Sequence, residues 1–185
     1  MPQDNVFRAD IQWVFDNGLM IGTTDSTFEP RSTLTAAAII TVLARMAKVD
    51  LTQYEHVADE EIDPSAWYAA AAIWAKHSGL LPEEGAAIFQ APLKREQMAV
   101  MLVKYLRLVN VEPQPPEEPV IFADADRMSP EGNAAFQTLY QYGIFKGTGN
   151  GVMDPGGITN RGQFAALIHR ISDRFSLSGD GRQGT

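Results

Sequence analysis

The chain has 185 residues, with 23 Asp and Glu against 15 Lys and Arg and a formal net charge of −8. That negative surplus leaves no broad basic field to meet phosphates, which argues against nucleic acid as a partner. The absence of cysteine excludes disulfides, thiolate metal sites and cysteine nucleophiles. With 45% hydrophobic residues but no apolar run near the roughly 18 residues of a membrane span, the chain reads as globular and without membrane insertion. It is long enough for one core, or for a few small units that share one.

Taken in order, the first pattern is Phe7, Ile11, Val14 and Phe15 at helical spacing, with Trp13 alongside, closed by Gly18 and Leu19. A left-handed glycine followed by a hydrophobic residue is the expected end of a helix. The loop that follows carries the turn formers Thr24-Asp25-Ser26 and then Phe28-Glu29-Pro30. At Leu34-Thr35-Ala36-Ala37-Ala38 a second helix opens, with Ile39, Leu43 and Met46 as its stripe and Thr35 as its N-cap.

This organisation then recurs. Asp63-Pro64 reads as a cap followed by proline at the first helical position, leading a stripe of Trp67, Ala70, Ala71 and Trp74 that ends at Gly79-Leu80. The loop Pro82-Glu83-Glu84-Gly85 and Phe89-Gln90-Ala91-Pro92 leads to Leu93-Lys94-Arg95-Glu96-Gln97-Met98-Ala99 and the stripe Met98, Leu102, Tyr105. Ser129-Pro130 opens the third copy in the same style, with Ala135, Phe136, Leu139 and Tyr140 on one face and Gly143-Ile144 at its end. Gly147-Thr148-Gly149-Asn150-Gly151 and Met153-Asp154-Pro155 lead to Ile158-Thr159-Asn160-Arg161-Gly162-Gln163-Phe164-Ala165, with Asn160 as N-cap and Phe164, Ile168 and Ile171 as the stripe. Repetition of this kind predicts an all-α fold of three tandem helix–loop–helix repeats, over residues 1–50, 51–112 and 113–175, that bury a common core. Pro113 to Pro119 reads as a stiff acidic linker, Asp59, Glu60, Glu61 and Asp63 as a solvated charge run, and residues 176–185 as a disordered tail.

Two residues stand out. Arg95 and Arg161 both fall in the first turn of a helix, where the partial positive charge of the N-terminus disfavours a cation. A misplaced charge that recurs suggests an anionic ligand, and the planar guanidinium fork suits a carboxylate. The plainer alternative is an arginine that bonds a neighbouring loop carbonyl or carboxylate. A basic residue also sits near the end of each second helix, at Arg45, Lys104 and Arg170, where it complements the dipole of its own helix.

In order and spacing these motifs resemble the S-layer homology (SLH) family, whose unit runs from an aromatic-Asp start through a helix ending in Gly-Ile or Gly-Leu and a loop with Phe-x-Pro to Ile-Thr-Arg-Ala-Glu-Phe. The third copy matches through Phe122-Ala123-Asp124, Tyr142-Gly143-Ile144-Phe145-Lys146-Gly147 and Arg161-Gly162-Gln163-Phe164-Ala165; the others match through Val57-Ala58-Asp59, Gly79-Leu80 and Leu93 to Ala99, and through Gly18-Leu19 and Phe28-Glu29-Pro30. The resemblance implies a pseudo-trimeric, three-prong module around a central helical bundle. It implies a non-enzymatic anchor that binds anionic bacterial cell-wall glycan, including pyruvylated secondary wall polysaccharide, in grooves between repeats. No export signal is visible after Met1, which leaves the chain either cytosolic or a fragment of a larger exported protein; the resemblance implies the second, with an extracellular location on a bacterial cell wall or S-layer. Other surface-layer proteins are further candidate partners. The family arginine maps to Arg95 and Arg161, with Ala36 in the first copy. The family glutamate maps to Ala38, Gln97 and Gln163 and is absent throughout.

The candidate ligand-binding residues are therefore Arg95, Arg161, Lys94, Gln97, Gln163, Trp67 and Lys146. Trp67 offers a ring face to a sugar, Lys94 sits where a cap would stand, and Lys146 lies in the loop that leads to the third motif. His56, His77 and His169 share no metal-ligand spacing, and no residue pattern for a nucleophile or a carboxylate pair emerges, so neither a cofactor nor an enzyme activity is expected. The competing readings are a degenerate triplet that serves as a protein-interaction or assembly module, and a glycan hydrolase domain.

Overall fold

The computed structural model describes residues 6–24, 26–81 and 85–177. Asp25, Pro82, Glu83, Glu84 and the tail from residue 178 onward lie outside the described residues, and with them parts of two expected turns. The fold is all-α. Among the described residues six helices run in order, α1 (Arg8–Asp16), α2 (Ala36–Met46), α3 (Ala69–His77), α4 (Arg95–Leu108), α5 (Pro130–Gln141) and α6 (Arg161–Phe175), with short 3-10 turns at Leu51–Tyr54, Gly85–Gln90 and Ala125–Arg127.

The caps explain where these helices begin and end. Ser129 accepts the Gly132 N–H with Pro130 at the first helical position, so α5 starts where its sequence predicts. Gly18, Gly79 and Gly143 end α1, α3 and α5 at φ of 67°, 66° and 69°, a conformation open to glycine at no steric cost. The N–H groups of Leu19, Leu80 and Ile144 then return to Val14, Ala75 and Leu139, which completes a Schellman turn each time.

The start of α3 departs from expectation. The Asp63 carboxylate accepts both the N–H and the hydroxyl of Ser65, at 2.8 and 2.7 Å. It thereby closes a local turn instead of capping a helix. Tight turns continue through Ala66, and α3 begins only at Ala69. Trp67 consequently lies ahead of the helix and is 70% exposed, whereas Trp74 is buried. Phe15 and Tyr140 were also expected on core stripes and are instead 55% and 41% exposed. Nor is the charge run of residues 59–63 merely solvated. Lys76 is clamped by Asp59 at 2.8 Å and Glu61 at 2.7 Å, and this holds the Asp59 carboxyl below its ordinary range.

Packing follows an alternating order along the chain: α3 lies on α2, α5 on α4, and α1 closes back on α6. The last of these contacts carries a polar lock. His169 on α6 meets Asp10 on α1 at 2.8 Å, and the Trp13 ring stacks on the imidazole at 4.6 Å between centroids. The stripes Ile39, Leu43 and Met46, Met98, Leu102 and Tyr105, and Phe164, Ile168 and Ile171 are all buried in one core. The tail begins with Ser176 in a left-handed conformation that caps α6 and with Leu177 packed against that core.

Where α2, α4 and α6 begin, the segments that precede them meet pairwise. Thr33 bridges Asn160, Thr35 bridges Pro92, and Lys94 bridges Ile158. The first N–H of each helix is taken by a carbonyl from another of these loops: Ala36 by Ala91, Arg95 by Gly157 and Arg161 by Ser32. Helix-start N–H groups have no partner within their own helix, so these loops supply what the helices lack.

Tyr105 is an exception within this well-satisfied interior. Its ring is fully buried, its hydroxyl has no hydrogen-bond partner among the described residues, and burial pushes its pKa up. Tyr105→Phe is expected to leave stability unchanged or raise it by about 1 kcal/mol, because the unpaired hydroxyl contributes only a desolvation cost. Thermal unfolding of the variant measures this, and a clear fall in the transition temperature would reveal a partner for that hydroxyl.

Candidate functional site

Arg95 is the first residue of α4 and its side chain is buried, at 8% exposure. Its Nε donates to the Met153 carbonyl at 2.8 Å, and its guanidinium carbon lies 5.1 Å from the centre of the Phe145 ring. The N–H groups of Arg95 and Glu96 bond the carbonyls of Gly157 and Pro155. These loop oxygens offset the repulsion expected between a cation and a helix N-terminus, so both the anomaly and its relief belong to one local structure. Burial pushes the guanidinium down from its ordinary range, and the carboxylates of Asp154 and Asp124 act in the opposite direction. Arginine titrates so far above neutrality that the cation persists at pH 7.

Asp124 holds this seat from behind and was not among the candidate residues. It is 6% exposed, and its two carboxylate oxygens accept the N–H groups of Met153 and Asp154 at 3.0 and 2.7 Å. Asp124 thus fixes the peptide whose carbonyl receives Arg95. The only trace of this in the sequence is the aromatic-Asp start at Phe122-Ala123-Asp124, which marks a position without saying which loop it grips.

Beside Arg95 lies a groove of about 150 Å³, in which Lys146, Gln163 and Arg170 join it. Three of the expected residues, Arg95, Lys146 and Gln163, therefore come together. Arg170 adds a further cation and donates to the Ile144 carbonyl at the end of α5. Arg45 does the same to Leu19 at the end of α1. Arg45, in the last turn of α2, thus serves the end of α1 as well as its own helix. Arg170 lies more than a turn before the end of α6, whose last-turn cation is Arg174, and serves the end of α5 instead. Lys104, the third of the set, faces Glu131 at 3.7 Å.

Arg161 occupies an equivalent seat. Its Nε donates to the Phe28 carbonyl at 2.8 Å and its Nη2 to the Ile21 carbonyl at 2.7 Å, with its guanidinium carbon 4.5 Å from the centre of the Phe28 ring. Burial lowers its pKa, opposed by Glu29. For both arginines the plainer alternative, a bond to a loop carbonyl, is realised in full or in part. The neighbouring cavity is larger, about 450 Å³, and brings Arg161 together with Trp67, Ile21, Ala38 and Arg45. Gly162, next to Arg161, is required by close approach, since a Cβ there would stand 2.7 Å from the Phe7 ring.

The two glutamines explain how the glutamate of the family pattern can be absent. Gln163 Oε1 accepts the Asn160 N–H at 3.0 Å while Asn160 Oδ1 accepts the Gln163 N–H at 2.9 Å, a reciprocal capping box. Gln97 Oε1 accepts the Lys94 N–H at 2.9 Å, but lysine has no acceptor to complete the exchange. Lys94 is exposed, and neither it nor Gln97 lines either groove. At the third equivalent position Ala36 is buried and offers no cation.

Residues 121–165 match the model of the S-layer homology domain family. Over 173 residues the chain is 22% identical to an amylopullulanase from Thermoanaerobacterium thermosulfurigenes, a stretch that is 93% of this chain but 9% of that protein. The chain thus spans less than a tenth of the length of the relative it matches. The domain match supports a cell-surface anchoring module in general terms. It contains Asp124, Lys146, Met153 and Arg161, so much of the Arg95 seat and groove lies within it.

Proposed function

We propose that the three helix pairs are copies of one SLH-type unit, closed into a pseudo-trimer, and that the chain is a non-catalytic anchor of a larger exported protein on a bacterial surface. It holds anionic wall glycan, including pyruvylated polysaccharide, in the grooves beside Arg95 and Arg161. The observation that carries this reading is the convergence of Arg95, Lys146, Arg170 and Gln163 on one groove whose lining, among the described residues, includes no carboxylate. The planar guanidinium and the Gln163 amide can meet a carboxylate and its neighbouring hydroxyls, while Trp67 offers an exposed ring face beside the other groove.

Co-sedimentation with purified wall polysaccharide tests the reading. The parent is expected to bind, and Arg95→Ala with Arg161→Ala to bind more weakly by about tenfold or more, since a charge-assisted contact contributes about 1.5–3 kcal/mol. Thermal unfolding of the double variant separates lost binding from lost fold. Equal affinity of the folded double variant and the parent would defeat the mechanism.

A second reading, a triplet that kept its core and became a protein-interaction module, is favoured by Ala36 and by the exposure of Trp67 and Ile21, at 70% and 62%. It predicts self-association in sedimentation velocity together with no retention on wall polymer.

A further inference from the structure

The Arg95 and Arg161 grooves are built from equivalent parts, yet their polar groups are committed differently. Arg161 uses Nε and Nη2 on the carbonyls of Phe28 and Ile21, so two edges of its fork are already taken. Arg95 uses Nε on Met153, and among the described residues neither Nη has a hydrogen-bond partner. Counting from the glycines that end α1 and α5, Gly18-Leu19-Met20-Ile21 aligns with Gly143-Ile144-Phe145-Lys146. An ammonium thus stands in one groove where an exposed isoleucine stands in the other. Gln163 likewise aligns with Ala38, which brings an amide to the first groove and a methyl to the second.

The remaining charges do not reverse this contrast. Asp124 and Asp154 act on Arg95, and Glu29 acts on Arg161, but none of the three lines its groove. Arg170 and Arg45 are matched, since each bonds the carbonyl just beyond the helix-ending glycine. What differs is Lys146, Gln163 and the uncommitted edge of Arg95.

We infer that the anion specificity of the molecule resides in the Arg95 groove alone, with Lys146 as the residue that sets it, and that the Arg161 groove takes no carboxylate. This rests on the glycan-binding reading and narrows it. Two grooves that look alike in sequence are chemically unequal, and a polymer that spans both would place its acidic group only in the first.

Glucose and sodium glucuronate, which differ by a carboxylate, are a suitable probe pair for titration into the full ¹⁵N-labelled chain. Glucuronate is expected to move the Gly147 and Gln163 resonances saturably where glucose does not, and to leave Gly22 and the Trp67 indole responding to both sugars alike. Lys146→Ile should weaken the glucuronate response about tenfold or more, as the loss of a charge-assisted partner requires. Ile21→Lys should create a new carboxylate response at Gly22. Both substitutions lie on exposed positions, so the fold is preserved. Glucuronate selectivity at Gly22 in the parent, indifference of the Gly147 response to Lys146→Ile, or no glucuronate response at either groove would each overturn the inference. Failure of the parent to sediment with wall polymer would instead remove the proposed function, and the monosaccharide titration tells the two apart.

Discussion

Phe136→Ala is expected to destabilise the protein by about 3–5 kcal/mol, the range for deleting a fully buried phenylalanine. The ring is 0% exposed and meets Phe145 edge-on, with centroids 5.4 Å apart and planes at 72°. Phe145 in turn supports the guanidinium of Arg95. The cavity would therefore open beneath the candidate site, and the loss has two components: packing between α5 and the core, and the surface on which Arg95 rests. Urea unfolding should show a lower midpoint with an unchanged slope, and the variant, still folded at low temperature, should bind glucuronate more weakly. Phe15→Ala is the natural comparator. Phe15 also lies on a helical stripe of the sequence but is 55% exposed, so its removal should change stability by no more than about 0.5 kcal/mol. Equal effects of the two substitutions would show that the core is not where the burial pattern places it.

That pair also marks how far the sequence can be read. Helix stripes and caps are local, and the residues that specify them are neighbours in the chain. Ser129-Pro130 and the three helix-ending glycines could therefore be placed from their own surroundings. Asp63-Pro64 has the same appearance, but a hydroxyl two residues on competes for the carboxylate, and the chain turns tightly until Ala69. Phe15 and Tyr140 satisfy helical spacing yet face outward, because periodicity defines a stripe but not its width, and the neighbour that covers it comes from a distant segment. The site was legible to a similar depth. Arg95, Lys146 and Gln163 could be chosen by residue type, and they do share a groove. Their grouping with Arg170 depends on how α4, α6 and the loop after α5 meet, and the exclusion of Lys94 depends on which way the start of α4 faces. The unequal commitment of the two arginines is further from reach still, since it is decided by a single carbonyl, that of Ile21.

Asp124→Ala is the substitution expected to couple stability and binding most tightly. The carboxylate accepts two N–H groups at 3.0 and 2.7 Å, the first bond buried and the second partly buried, and the variant would leave both donors without this partner. Each unpaired buried donor costs about 1–3 kcal/mol, partly offset because a buried carboxylate no longer needs to be desolvated, so a net loss of about 2–4 kcal/mol is expected. The effect on function follows from position. The Met153 N–H held by Asp124 and the Met153 carbonyl that receives Arg95 Nε belong to the same residue, so release of one displaces the other. Asp154 adds to the tension, since it stands at a φ of 54°, a conformation an aspartate keeps only while its surroundings enforce it. Asp124→Asn keeps the shape and one acceptor but turns an amide N–H toward a backbone N–H, and it should fall between the parent and the alanine variant. Measured where each variant is fully folded, glucuronate affinity at Gly147 should fall about tenfold in Asp124→Ala, in line with the loss of a charge-assisted contact. The resonances of Ile21 and Phe28 around Arg161 should stay in place. Movement of both seats together would mean that Asp124 supports the whole fold and does not position Arg95. Movement of neither would mean that the loop at Met153 holds its shape without the carboxylate.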